Sequence, residues 1–204
     1  MIRRENSEPS KLPDSFGEIL GMMGWEELHF IYRTVREHAA SQGQIVNLGV
    51  FMGKSAMLLC EATSSDRVIG IDNWCMKMDY GLHAGRKTNQ ADTEEYCKQY
   101  GYFPTLYTGD SRTPPDFIDE VAVMFIDSKH TAEHLKEEYN NWLPFLRKDA
   151  VVLLHDYGDF TNGWTKGNLD KFKQIDEYSK AIDELFKDWH RLGLVDSTIA
   201  FKRK

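Results

Sequence analysis

Five short apolar runs, each closing on glycine or a carboxylate-bearing stretch, constrain this chain more than any other feature. Residues 45–48 close on Gly49, 68–71 on Asp72, 105–108 on Gly109-Asp110, 121–126 on Asp127 and 150–154 on His155-Asp156. The runs lack polar alternation, as strands covered on both faces do. Helical patterns separate them. One runs from residue 25 to about 42, with Leu28, Ile31, Tyr32 and Val35 on one face and Gly43 as its stop. Others fall at 53–62, at 92–100 and over 131–146, the last with Leu135, Tyr139, Trp142 and Leu146 at spacings of four, three and four. A further pattern carries Tyr178, Ile182, Leu185, Phe186 and Trp189. Strands alternating with helices predict βαβ units in an α/β, Rossmann-like, doubly wound and mostly parallel sheet. Residues 191–195 and 198–201 predict a terminal hairpin around Asp196-Ser197, adding an antiparallel strand. The 204 residues are expected to form one domain, without internal repeat.

In a parallel sheet the carboxyl ends of the strands share one edge, and ligands bind in the crevice beyond it. Asp72, Asp110, Asp127 and Asp156 should therefore surround one cleft. Any one of them could merely cap the helix that follows its strand. Four in register point to a ligand. The first strand runs into VNLGVFMGKS, which nearly matches the phosphate-binding pattern G-x-x-x-x-G-K-[ST]. Only three residues separate Gly49 from Gly53, one short of that pattern, and the third glycine of G-x-G-x-x-G is absent. Four carboxylates repel a bare triphosphate unless a divalent metal intervenes, whereas they attract a cation. Asp72 lies 23 residues beyond Gly49, close to the ~20 expected of an acid gripping ribose hydroxyls. A nucleoside without phosphate and with positive charge describes S-adenosylmethionine.

The segments VNLGVFMGKS, VIGIDNW, YTGDS and VMFIDSKHTAEHLKEEYNNWLPFLRKDAVVLLHDY together resemble class I S-adenosylmethionine-dependent methyltransferases. They are most similar to the small-molecule O-methyltransferase branch that includes metal-dependent sugar methyltransferases of antibiotic pathways. The resemblance covers residues 45–157, and its most specific part is FIDxxH…HDY. It implies a seven-stranded sheet whose last strand is antiparallel. It places Gly49 and Gly53 against the cofactor's aminoacyl part and Asp72 on the ribose hydroxyls, with Asn73 and Trp74 beside it. Asp110 and Ser111 would border the adenine. Asp127 and Asp156 would hold a divalent cation such as Mg²⁺, and His130 would be the general base. Asn47 stands where many members have an acid, so it is expected near the cofactor's amino group, directly or through water. His155 occupies the place of a second metal-binding acid, and Ser128-Lys129 replaces a more usual Gly-Asp. Methyl transfer requires a positioned hydroxyl and a proton acceptor, and an imidazole of ordinary pKa near ~6.5 suits the latter.

Several other readings bound the function. A net charge of −7 disfavours nucleic acid and anionic membranes as partners. No run approaches the ~18 apolar residues of a membrane span, and the start of the chain has no secretory pattern, so the expected compartment is the cytoplasm. Cys60, Cys75 and Cys97 are odd in number and widely spaced, indicating neither a disulfide framework nor a zinc knuckle. His130 and His134 are four apart but lack the intervening Glu of a zinc helix. Residues 1–20 are read as a flexible arm or lid, and Lys54 as a solvated lysine. Loops 73–91 and 157–175 leave the ligand edge and carry Trp74, Tyr80, His83, Arg86, Phe160, Asn162, Trp164 and Asn168, which suit a sugar-like or phenolic acceptor. The N-terminal helix and the loops could serve a homodimer. Two alternatives remain at this point. One is a phosphotransferase with Lys54 on phosphate and Asp127 on Mg²⁺. The other is a cofactor-binding protein without catalysis.

Overall fold

The computed structural model describes residues 11–40, 42–64, 67–76, 87–158 and 168–204. Seven strands form one sheet in the order β3-β2-β1-β4-β5-β7-β6. They are β1 (Gln44–Leu48), β2 (Val68–Asp72), β3 (Thr105–Thr108), β4 (Val121–Ile126), β5 (Leu146–Leu154), β6 (His190–Val195) and β7 (Thr198–Lys202). The first five are parallel, and β7 runs antiparallel to both β5 and β6. The expected Rossmann-like sheet with its C-terminal hairpin is the observed one. The chain steps outward from β1 through β2 to β3 and returns to β4 on the other side of β1. The crevice between the ends of β1 and β4 is thus the switch point at which such sheets bind ligands.

Five helices cover the sheet: α1 (Trp25–His38), α2 (Lys54–Thr63), α3 (Gln90–Gln99), α4 (Ala132–Trp142) and α5 (Leu169–Leu185). Successive side chains of a strand point to opposite faces. In β4, Val123 and Phe125 therefore join one core with Leu28, Ile31 and Val35 of α1 and Met57 of α2. Met124 and Ile126 join the other with Trp142 of α4 and Tyr178 and Ile182 of α5. Side-chain caps start three of the helices: Asn89, Thr131 and Asn168 accept hydrogen bonds from the backbone N–H of Asp92, His134 and Lys171. Among the described residues no helix is long and apolar enough to cross a membrane.

The element boundaries depart from expectation in three places. Helix α1 ends at His38 rather than near residue 42, with Ala39 already extended. Helix α4 ends at Trp142 rather than 146, because Pro144 confines the chain to a 3-10 turn, Leu143–Phe145, before β5 begins. Helix α5 begins at Leu169, so the second half of the expected 157–175 loop is helical. Its first apolar side chains, Leu169 and Phe172, face solvent and give no amphipathic signal.

Residues 11–20, the described part of the segment read as a flexible arm or lid, pack against the domain. Leu12, Phe16 and Ile19 are buried, Phe16 meets the Tyr102 ring edge-on at 5.7 Å, and the backbone N–H of Leu20 donates to the Tyr96 hydroxyl at 3.0 Å. A short 3-10 turn, Asp14–Gly17, places these side chains on one side. Removing a buried phenyl ring costs about 3–5 kcal/mol. Phe16→Ala is expected to lower the urea unfolding free energy by about that amount. A change within about 0.5 kcal/mol, the range for surface substitutions, would mean that the segment is not part of the fold.

Candidate active site

The glycine loop between β1 and α2 is shaped by close approach. Gly49 has φ +81°, and a Cβ there would lie 2.1 Å from the carbonyl oxygen of Asp127. Only glycine lets the ends of β1 and β4 come this near. Gly53, at φ +89°, leaves room for the Cys97 thiol of α3, which a Cβ would meet at 2.7 Å. Asp72 fastens the loop between them. One carboxylate oxygen accepts from the N–H groups of Val50 (2.8 Å) and Phe51 (3.0 Å), and the other from Trp74 N–H (2.6 Å). Asn47, wholly buried, ties the loop from beneath. Its amide donates to the Gly49 carbonyl at 2.8 Å and accepts from the Ser55 hydroxyl at 2.7 Å.

A cleft of about 770 Å³ opens beside this loop at the carboxyl ends of the strands. Gly49, Asp72, Asn73, Ser111, Asp127, His130, His155 and Asp156 all border it. The other expected site residues, Asn47, Gly53, Trp74 and Asp110, do not line it. Asn47 and Gly53 support the loop, and Trp74 is buried with its indole N–H donating to the Thr108 hydroxyl at 2.8 Å. Asp110 is gripped by Arg112, at 2.6 Å, which holds its carboxyl down at about 2. Trp74 apart, the residues named from the 73–91 loop, Tyr80, His83 and Arg86, lie outside the described residues, as do Phe160, Asn162 and Trp164.

Two imidazoles and three carboxylates meet at the deep end of the cleft. His130 Nδ1 lies 2.9 Å from Asp156 Oδ2, and its Nε2 lies 3.4 Å from Asp127 Oδ1. His155 Nδ1 lies 3.3 Å from Asp127 and 3.2 Å from Asp156, while its Nε2 faces Glu27 at 3.5 Å. His130 Nε2 and both nitrogens of His155 are buried without an aligned hydrogen bond. The contacts of His130 Nε2 and of His155 are therefore ion pairing rather than directed bonds. Burial disfavours charge on His130, but Asp127 and Asp156 outweigh it and raise its pKa to about 9. Burial likewise opposes charge on His155, and Asp127, Asp156 and Glu27 push its pKa well up. In return the carboxyls of Asp127, Asp156 and Glu27 are held below their ordinary values against their own burial. Asp156 adopts φ +60°, a left-handed backbone that non-glycine residues keep mostly where the surroundings over-determine it.

Asp127, His130 and Asp156 each offer a ligand atom, all within 4.8 Å of one another. The donor set suits a divalent cation. It contains His130 where His155 was expected, although His155 Nδ1 also faces Asp127 and Asp156 while its Nε2 faces Glu27. His134 does not pair with His130. Its Nε2 faces Ser111 Oγ at 3.0 Å and Glu138 Oε1 at 3.1 Å, and Glu138, 1% exposed, accepts from Ser128 Oγ at 2.5 Å. This network links the loop after β3 to the loop between Asp127 and His130. Gln174 of α5 donates to the His130 carbonyl at 2.7 Å and steadies the same loop.

Several of these residues gave no warning in the sequence. Glu27, in the first turn of α1, accepts from Gly24 N–H at 3.2 Å. It also accepts from the N–H and hydroxyl of Ser197 and from the Thr198 hydroxyl, 170 and 171 residues away. Lys54 is not solvated: it is 6% exposed and borders the cleft. The phosphate-loop alternative loses its basis here, since the N–H groups of Val50 and Phe51 that would face a phosphate are committed to the Asp72 carboxylate.

The fold is the Rossmann-like fold of methyltransferases. A family model described as a methyltransferase domain matches residues 46–157, more than half of the chain, and the chain belongs to that family. Protein y4gI of Sinorhizobium fredii, described as uncharacterized, is 26% identical over 125 residues, covering 58% of this chain and 14% of its own length. An uncharacterized protein of Acanthamoeba polyphaga mimivirus is 26% identical over 125 residues, covering 56% of this chain and 52% of its own. The chain thus spans about half or less of these curated relatives. In three dimensions it is similar to a Staphylococcus aureus protein assigned as a caffeoyl-CoA O-methyltransferase (TM-score 0.65, 15% identity, 98% of this chain and 94% of the other). It is also similar to Podospora anserina methyltransferase PaMTH1 bound to S-adenosylhomocysteine (TM-score 0.61, 15% identity, 95% and 89%). A third similar structure is MycE, of the mycinamycin pathway, in complex with Mg and S-adenosylhomocysteine (TM-score 0.56, 15% identity, 96% and 56%). At these identities the likeness is one of fold.

The ion cluster predicts the pH dependence of the metal-free protein. His130 has its pKa raised from 6.5 to about 9, so its contribution is complete below 6.5 and is lost as pH rises through 9. Glu27, Asp127 and Asp156 have theirs lowered from 4.5, 3.8 and 3.8. Their contribution is present above those values and is lost as pH falls. With EDTA present, the urea midpoint is expected to be highest between about 4.5 and 6.5 and to decline on both sides. A midpoint that holds level from 6.5 to 9 would show that His130 is not paired as described.

Proposed function

We propose that this chain is an S-adenosylmethionine-dependent methyltransferase that methylates a hydroxyl of a small molecule, sugar-like or phenolic, with His130 taking the proton. The observation that carries this reading is the placement of Asp127, His130 and Asp156 in the same cleft as the glycine loop. The bound S-adenosylhomocysteine in PaMTH1 and MycE supports the choice of cofactor. When bound, S-adenosylmethionine supplies a methyl group on a sulfonium, open to in-line attack. Gly49 leaves space for close backbone approach. Asp72 Oδ1 retains a lone pair beyond its loop contacts for a ribose hydroxyl, and Ser111 borders the adenine end. The carboxylates favour the sulfonium charge by Coulomb attraction.

His130 then takes the acceptor's proton at Nε2, the buried nitrogen without an aligned partner. Asp156, 2.9 Å from Nδ1, orients the ring and stabilises the resulting imidazolium. The Mg in the MycE structure supports a cation here as well. A divalent cation held by Asp127 and Asp156 would supply Lewis acidity to the acceptor oxygen and offset the negative field that keeps His130 protonated. A second reading makes His130 itself a ligand of that cation, since its nitrogen completes the donor group.

Two measurements separate these roles. His130→Ala is expected to lower kcat by about 10²–10⁴-fold while calorimetric titration shows S-adenosylhomocysteine and Mg²⁺ binding unchanged. Full activity would remove the base assignment, and lost Mg²⁺ affinity would favour the ligand role. Dialysis against EDTA is expected to suppress turnover, and added Mg²⁺ to restore it. Turnover indifferent to the chelator would leave Asp127 and Asp156 as electrostatic partners only.

A further inference from the structure

Lys54 is a buried cation that the proposed chemistry does not use. It is the first residue of α2, is 6% exposed and borders the cleft. Five carboxylates, Glu27, Asp72, Asp127, Asp156 and Asp196, line the same cleft, yet among the described residues none pairs with it. Its pKa is pushed down by burial, with no charged neighbour contributing. Lysines are almost never this buried unless paired; here the stem is packed away while the ammonium opens on the cleft without an ion-pair partner among the described residues, a place for an anion. The surroundings agree. α2 is 10 residues long, and its N-terminus adds positive potential and N–H donors. The strap over residues 20–23 holds the lysine in place. Gly21 packs on its methylenes so closely that a Cβ there would lie 2.6 Å from Lys54 Cδ. Ser55, next in the chain, also borders the cleft and gives its proton to Asn47.

We propose that Lys54 is the partner of the carboxylate at the amino-acid end of the methyl donor, held between the first turn of α2 and the strap at residues 20–23. The inference rests on the methyltransferase reading, which places the donor's aminoacyl part against Gly49. It makes the cleft complementary to a zwitterion. The ammonium and sulfonium of the donor face the carboxylates around Asp127, and its one negative group faces the unpaired lysine.

The test compares S-adenosylhomocysteine with 5′-methylthioadenosine, which keeps the adenosine and sulfur but lacks the amino-acid end. Both are titrated calorimetrically into the wild-type chain and Lys54→Met, which preserves the unbranched shape. Hydrogen bonds to charged groups are worth enough that S-adenosylhomocysteine should bind about tenfold or more weakly to the variant. 5′-Methylthioadenosine should bind both proteins equally, which also reports an intact cleft. Unchanged S-adenosylhomocysteine affinity would overturn the proposal and leave an acceptor carboxylate as the anion. A parallel loss for both ligands would overturn it too, showing Lys54 to be a wall of the pocket. If neither ligand binds the wild-type chain, the cofactor reading itself fails, and this proposal falls with it.

Discussion

The close passage of Gly49 against the carbonyl of Asp127 is the constraint on which the rest of the site depends. With a Cβ kept out, the ends of β1 and β4 lie side by side where the strand order reverses. That contact sets the distance between the loop that would hold a cofactor and the carboxylate that would face a methyl acceptor. Asp72 then fixes the loop from the next strand, and Asn47 fixes it from below. The loop is thus shaped before any ligand arrives, with each polar tie directed by a strand end. Preorganisation of this kind lowers the ordering cost of binding and holds reacting groups in line.

Much of this was legible because it is local or periodic. The strand runs, their order and the acids at their ends follow from apolar pattern and from the rule that parallel strands end on one edge. Asp127 and His130 share a short turn, so their spacing alone brings them near each other. What was missed or misread has a different cause. Glu27 meets Ser197 and Thr198 across 170 and 171 residues of chain, and no local pattern marks such a contact. Lys54 looked solvated because lysine at a helix start usually is, and only the packing of Gly21 over it shows otherwise. Leu12, Phe16 and Ile19 stand among prolines and charges that conceal their common face. Leu169 and Phe172 face outward and mask a helix start that Asn168 caps.

The terminal segments consequently matter more than their sequence suggests. Glu27 at the start of α1 is held by the turn between β6 and β7, and it faces His155 at the end of β5. An N-terminal helix, a C-terminal hairpin and a central strand therefore meet at one carboxylate. A buried acid with several donors is strongly destabilising to leave unpaired, so each of these elements holds the others in register around the cleft.

The charge balance of the cluster ties the base and the cations into one problem. With both imidazoles protonated, the carboxylates of Glu27, Asp127 and Asp156 outnumber the positive charges by one, and that excess keeps the proton on His130 up to about 9. An imidazolium has both ring nitrogens protonated and cannot accept another proton. It would serve as the proposed base only once positive charge entered the cleft and weakened the field of Asp127 and Asp156. A sulfonium brings one such charge, and a divalent ion brings two. The acid-rich wall, which taken alone argues against His130 as a base, becomes coherent once the same carboxylates are the attraction for those cations: binding and activation of the base are then a single electrostatic event.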